Sequence, residues 1–193
     1  MAGKLRIALV DAKAERSGSL EAALTAEGYE VVARLGGGDD LRARIAELAP
    51  DVIIVDMQSP DRDVLEDMQR IHREAPRPIV MFVDESDGPS IRAAVRAGVS
   101  AYVVAGLRSR SVRPIVEVAI ARFEEFQALR HELEEALESL EERKLVDRAK
   151  GILMERRGVG EQEAYRLLRK AAMDRQVKLA ELARQLIATA ERL

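Results

Sequence analysis

Three aspartates follow predicted β-strands, and their carboxylates are suited to chemistry. Asp11 follows the first strand, Asp56 ends the third and Asp84 follows the fourth. Carboxylates at neighbouring strand ends can hold a divalent cation, and one of them can accept a phosphoryl group. Aspartates also cap helices and begin turns, so their spacing alone leaves both interpretations open.

Basic side chains gather near the C-terminus and are suited to binding nucleic acid. Between Lys144 and Lys178, ten Lys and Arg residues oppose five Asp and Glu residues, which gives a net charge of +5. The preceding stretch, from Glu124 to Arg143, has a net charge of −6. An abrupt change of sign indicates nucleic-acid contact, although a solvated helical face has the same composition.

The elements that position these residues alternate between strand and helix over the first hundred residues. Apolar runs predict five strands at 5–10, 30–35, 52–55, 79–83 and 101–104, and amphipathic patterns predict helices at 16–27, 41–48, 64–74 and 90–97. Several strands are continuous apolar runs, which is typical of strands covered on both faces. This order predicts an α/β fold with a doubly wound, five-stranded parallel sheet.

Composition excludes several classes of site. The 193-residue chain has no cysteine, which excludes disulfides, thiolate metal sites and cysteine nucleophiles. It has no run of about 18 apolar residues, and its N-terminus leads directly into a strand, so we expect a cytoplasmic protein. The two histidines, His72 and His131, lie far apart on predicted helices, and neither a metal site nor a cofactor is expected.

A long helix is predicted from Val112 to Arg157, because no proline follows Pro114 and the one glycine is Gly151. Its apolar residues form a narrow seam flanked by glutamates, which is typical of a coiled coil of about three heptads. The residues expected to form a homodimer are Phe126, Leu133, Leu137 and Leu140. An intramolecular helix pair is the alternative.

The phrase PDVIIVDMQSPDRDVLE and the order of elements resemble the receiver domain of bacterial response regulators over residues 4–122. This resemblance implies a flavodoxin-like fold. It also implies that Asp56 occupies the phospho-acceptor position and that Asp11 is one of two magnesium-binding acids.

The sequence departs from the receiver pattern around that acceptor. Ala12 replaces the second acid, Val83 replaces a hydroxyl residue, and Ala105 and Gly106 replace the family's lysine and proline. Phosphoryl transfer depends on a metal ion and a cation that neutralise charge. We therefore expect a vestigial phosphorylation site and a domain that binds a partner.

The runs AKGILM, EAYRLLRKAAM and KLAELA closely resemble the ANTAR domain, the RNA-binding module of bacterial antiterminators, over residues 140–190. The resemblance implies a small three-helix domain. The side chains expected to bind RNA are Lys144, Arg148, Lys150, Arg157, Tyr165, Arg166, Arg169, Lys170, Arg175 and Lys178. The predicted organisation is a receiver-like domain (1–122), a coiled-coil linker helix (123–143) and an ANTAR domain (144–193).

The segments RPIVMFVDESD, VSAYVVAGL and RPIVEVAIARFE extend the resemblance to NasT-like antiterminators of nitrate and nitrite assimilation. This implies binding to paired hairpins in a leader transcript, with a homodimer when RNA is bound, and control by a NasS-like nitrate-sensing partner. No enzymatic activity is expected. Two alternatives are a phosphorylation-switched DNA-binding response regulator and an adaptor whose basic face meets an acidic protein.

The coiled-coil hypothesis predicts that a fragment of residues 108–193 self-associates, because a long charged helix is marginally stable unless its apolar seam is covered. Analytical ultracentrifugation should give the mass of a dimer. A fragment that stays monomeric as its concentration rises removes the dimer hypothesis.

Overall fold

Five strands form one parallel sheet in the computed structural model, which describes residues 4–11, 17–36, 40–104 and 112–191. The strands are β1 (Arg6–Asp11), β2 (Glu30–Leu35), β3 (Val52–Met57), β4 (Ile79–Val83) and β5 (Ala101–Val104). Their order across the sheet is β2-β1-β3-β4-β5. The predicted doubly wound parallel sheet is therefore confirmed.

The described residues also form seven helices. These are α1 (Ser17–Ala26), α2 (Leu41–Leu48), α3 (Arg62–Glu74), α4 (Gly88–Arg96), α5 (Val112–Arg157), α6 (Glu161–Arg175) and α7 (Leu179–Ala190). None of the helices in this part of the chain is long and apolar enough to cross a membrane. The long helix α5 has the limits that the sequence predicts.

Side-chain caps explain why α3 and α4 begin two residues earlier than their apolar patterns predict. The backbone N–H of Val64 donates to the Asp61 carboxylate at 2.8 Å, and that of Ser90 donates to Asp87 at 2.7 Å. Each aspartate satisfies an amide that the first helical turn leaves unpaired. The first turns carry polar or turn-forming residues, so hydrophobic periodicity alone does not include them.

Both faces of the sheet are covered, as the apolar strands require. Along β3, Val52 and Ile54 pack into a cluster with α1 and the start of α5, whereas Ile53 and Val55 pack into a cluster with α2, α3 and α4. This alternation is the two-residue period of a strand. It buries the central strands on both sides and leaves their carboxyl ends to carry polar groups.

The chain divides into two compact units after Gln127. In the second unit the end of α5 packs with α6 and α7 around a small core of Ala149, Leu168, Ala172, Leu182, Ala183 and Ile187. The alanines let the helices approach closely. Gly158, at φ +64°, follows the end of α5 in a left-handed conformation that glycine adopts at little cost. The predicted three-helix arrangement is confirmed.

Replacing Gly98 by alanine should destabilise the first unit more than the same change at Gly28. Both glycines have positive φ, +88° and +91°, so each substitution incurs about 1–2 kcal/mol of backbone strain. A Cβ at Gly98 would also lie 2.3 Å from Cγ of His72, whereas none of the described atoms lies within 4 Å at Gly28. The clash should cost about 1–3 kcal/mol more.

Urea unfolding of the two variants measures this difference, and Gly28→Ala serves as the control for backbone strain alone. Equal losses of stability in the two variants would show that the His72 ring moves aside without cost.

Candidate nucleic-acid interface

The structure brings the predicted carboxylates to one edge of the sheet. Asp11 and Asp56 are register partners across β1 and β3, and Asp84 follows β4 directly. Asp11 is buried, whereas Asp56 and Asp84 are half-buried. Within the described ranges, no group of three or more His, Cys, Asp or Glu side chains is placed to hold a metal ion.

The surroundings of this edge differ from what phosphoryl transfer uses. Val83 is 1% exposed and packs in the apolar cluster beneath the sheet, so its side chain offers a phosphoryl group no hydrogen bond. Ala12, Ala105 and Gly106 lie outside the described residues.

In the second unit, Lys150 connects two helices through carboxylates. Its Nζ lies 2.7 Å from Asp147 on the same helix and 2.7 Å from Glu161 at the start of α6. The Lys150 side chain is only 14% exposed. These two hydrogen bonds, that of Asp147 first, raise the pKa of Lys150 to about 12. Lys150 therefore holds α5 and α6 together, and its positive charge is largely compensated.

Four other basic side chains in this unit have partners of their own. Arg148 pairs with Glu191 at 2.5 Å, Lys144 pairs with Glu141 at 2.6 Å, and Arg166 forms a two-point contact with Glu163. Arg156 donates to the backbone oxygen of Ala190 at 3.1 Å. Arg148 and Arg156 thereby tie the C-terminal end of α7 to α5.

The glutamate contact also affects the titration of Arg166. The paired Glu163 raises the pKa of this guanidinium, and the pKa of Glu163 is lowered by the same hydrogen bonds. Both groups are exposed to solvent, so the pair stabilises the helix only weakly.

Five cations of the predicted set form no ion pair with any carboxylate that the structure describes. They are Arg157, Arg169, Lys170, Arg175 and Lys178, and all are exposed. Because nothing in the described part of the unit compensates their charges, these five are the ones that can neutralise phosphates. The predicted RNA-binding set thus divides into tethering cations and uncompensated ones.

Four of the five uncompensated cations line two grooves, and Arg169 lines neither. One is lined by Arg157, Lys170 and Arg175. The other has a volume of about 670 Å³ and is lined by Lys178, by Tyr165 and by the tethered Lys150. Tyr165 is 42% exposed, so its ring is accessible to a ligand as well as to its helix neighbours. The sequence predicted these residues, but it did not predict which of them are paired with carboxylates and which are not.

A stripe of large apolar side chains on α5 is more than half exposed. Its members are Phe126, Leu129, Leu133, Leu137 and Leu140. The sequence analysis missed Leu129, although it lies three residues after Phe126 and four before Leu133, the spacing of a coiled-coil seam. The Phe126 ring also lies 6.2 Å from that of His72 within the first unit.

Comparisons with known proteins match both units. Residues 7–116 match the response regulator receiver domain, and residues 133–187 match the ANTAR domain. The transcriptional regulatory protein PdtaR of Mycobacterium tuberculosis is 36% identical over 167 residues, which is 86% of this chain and 81% of that protein. A nitrate regulatory protein of Klebsiella oxytoca is 43% identical over 63 residues, 33% of this chain and 16% of that protein.

A solved structure shows the same fold for the first unit. The signal receiver domain of a modulated diguanylate cyclase from Desulfovibrio desulfuricans superposes with a TM-score of 0.56 at 20% identity. The match covers 63% of this chain and 98% of that domain. At this identity the likeness concerns the fold alone.

Replacing Lys150 by methionine should lower the melting temperature of the second unit, because Asp147 and Glu161 lose their common partner. The pKa of Lys150 is raised on folding from 10.5 to about 12, so its stabilising effect is complete below pH 10.5 and is lost as the pH rises towards 12. The difference in melting temperature between the unaltered chain and Lys150→Met should therefore shrink over this range.

Arg169→Met is the matched control, because it removes an exposed cation that has no carboxylate partner in the described structure. Circular dichroism of both variants against pH makes the comparison. If the two substitutions change the melting temperature equally at neutral pH, Lys150 does not hold the helices together.

Proposed function

This chain belongs to the response regulators that join a receiver domain to an ANTAR domain, and we propose that it is a transcription antiterminator that binds RNA. Its relatives PdtaR and the Klebsiella oxytoca protein are named as regulators. In this proposal the protein binds paired hairpins in a leader transcript and thereby prevents a terminator from forming. It carries out no chemical reaction itself.

One observation carries the proposal: five exposed cations of the predicted RNA-binding set have no ion pair with a carboxylate that the structure describes. One of them, Lys178, lines the same groove as Tyr165, which is 42% exposed. Another, Arg169, lies four residues after Tyr165 on α6 and therefore on the same helix face. Cations hold RNA through its phosphates, and an exposed tyrosine can stack on the unstacked bases of a loop. Double-helical DNA offers no such bases, so this combination of side chains favours RNA with loops.

Two adjacent hairpins can be bound by two ANTAR units, one from each copy of the chain. The apolar stripe on α5 is the surface through which two copies can associate. We propose that two copies associate through Phe126, Leu133, Leu137 and Leu140, together with Leu129, so that each copy binds one hairpin. In a parallel coiled coil Glu125 of one copy would face Arg130 of the other, because they occupy facing g and e positions. This charge pairing favours the parallel arrangement over the antiparallel one.

Control by a partner protein fits the receiver unit better than control by phosphate. Val83 offers no hydrogen bond at the acceptor edge, and the sequence places alanines where the family has an acid and a lysine. We propose a NasS-like nitrate-sensing protein as the partner that sequesters this chain.

A gel-shift assay tests the RNA proposal. The purified chain should retard a two-hairpin leader RNA, and it should bind duplex DNA of the same sequence far more weakly. Preference for the duplex would favour a DNA-binding regulator instead. Failure to bind either nucleic acid, with no partner present, would favour an adaptor that recognises an acidic protein.

The same assay separates partner control from phosphorylation. Addition of Mg²⁺ and a phosphate analogue should leave RNA affinity unchanged, because the acceptor edge lacks the groups that stabilise a phosphoryl oxygen. A change that depends on Asp56, and that disappears in Asp56→Asn, contradicts partner control.

A further inference from the structure

One groove of the ANTAR unit combines positive charge with an apolar wall. A cavity of about 510 Å³ lies between α6, α7 and the C-terminal end of α5. This size lies within the range of about 300–1,000 Å³ typical of sites for small ligands. All of its lining residues belong to the second unit, so the groove is complete within that unit.

The charged part of the lining favours an anion. Arg157, Lys170 and Arg175 line the groove, and Asp174 is the acidic residue among the described lining residues. The groove therefore gathers three of the five cations that have no described carboxylate partner, with a net charge of +2. The tethering residue Lys150 lies in the other groove, so the two grooves differ in how much of their charge is available.

The apolar part of the lining favours a flat, weakly polar group. Leu153, Leu167 and Leu186 are half-buried side chains of this groove, one from each helix. Gln185 lies in the same lining; its amide nitrogen donates to Glu181 at 3.1 Å, and its amide oxygen can accept a hydrogen bond from the edge of a bound ring. An acidic peptide would use the cations but would leave this apolar wall exposed to water.

We propose that the groove binds one unpaired nucleotide of an RNA loop. The base lies against the three leucines, and its flanking phosphates are held by Arg157, Lys170 and Arg175. Loop nucleotides can enter such a site because they are unstacked, whereas the bases of a duplex cannot. This inference rests on the proposed RNA binding. It assigns recognition of a loop base to this groove and not to the surface that contains Tyr165 and Lys178.

Filling the groove tests the proposal without changing its charge. Thr189 is an exposed lining residue on α7, so Thr189→Trp should fold and occupy the space of the base. Thr189→Ser is the control, because it retains the hydroxyl that donates to the backbone oxygen of Gln185. The probe is a pool of two-hairpin RNAs with randomised loops, compared with a fully paired RNA of the same length, and full-length protein is used throughout.

Thr189→Trp should weaken binding to the hairpin pool about tenfold and leave the weaker binding to paired RNA unchanged. Arg157→Ala, Lys170→Ala and Arg175→Ala should each weaken binding to the pool and reduce the slope of log affinity against log salt by about one. Arg184→Ala, an exposed arginine on α7 outside the groove, should change neither quantity.

If Thr189→Trp binds the RNA pool normally, the proposal that the groove holds a loop base is wrong, and the proposal that the chain binds RNA is unaffected. Absence of binding by the unaltered chain overturns the proposed function and the groove together, so the two failures are distinguishable. Circular dichroism checks the fold of each variant. If Thr189→Trp does not fold, unchanged affinity and salt slope in the three alanine variants overturn the proposal.

Discussion

One helix supplies core residues to both units of this protein, and much else depends on that constraint. Val112, Val116 and Ala119 near the start of α5 are buried against the sheet, and Ala149 near its end is buried against α6 and α7. Between these ends, the stripe residues Phe126, Leu129, Leu133, Leu137 and Leu140 belong to neither core cluster and are more than half exposed. This helix, which serves two cores, also carries an exposed apolar seam in its middle, and we propose that a second copy covers it.

The C-terminal unit uses the same residue types for two different purposes. Lys150 connects α5 to α6, whereas Arg148 and Arg156 connect α5 to the C-terminal end of α7. Because carboxylates compensate the charges of Lys150 and Arg148, these two add little to the attraction for phosphate. Arg157, Lys170 and Arg175 make no such contacts within the described structure, so their charge remains available to a ligand.

The receiver unit brings Asp11 and Asp56 side by side at the carboxyl ends of its strands. The parallel sheet still aligns Asp11 with Asp56, because register and strand order are set by the buried apolar residues of β1, β3 and β4. The alignment of the two carboxylates therefore depends on core packing, and we propose that the surface of this unit binds another protein.

Local patterns in the sequence determined the elements of this protein. Periods of two and of about 3.6 residues located the five strands and the helices, and the motifs in the C-terminal segment indicated the ANTAR domain. Only the tertiary structure decided which cations are available. Lys150 pairs with Glu161 on the next helix, and Arg148 pairs with Glu191, 43 residues away. Such pairs depend on how helices cross, whereas hydrophobic periodicity describes one helix at a time. The sequence therefore could not separate the tethering cations from the uncompensated ones.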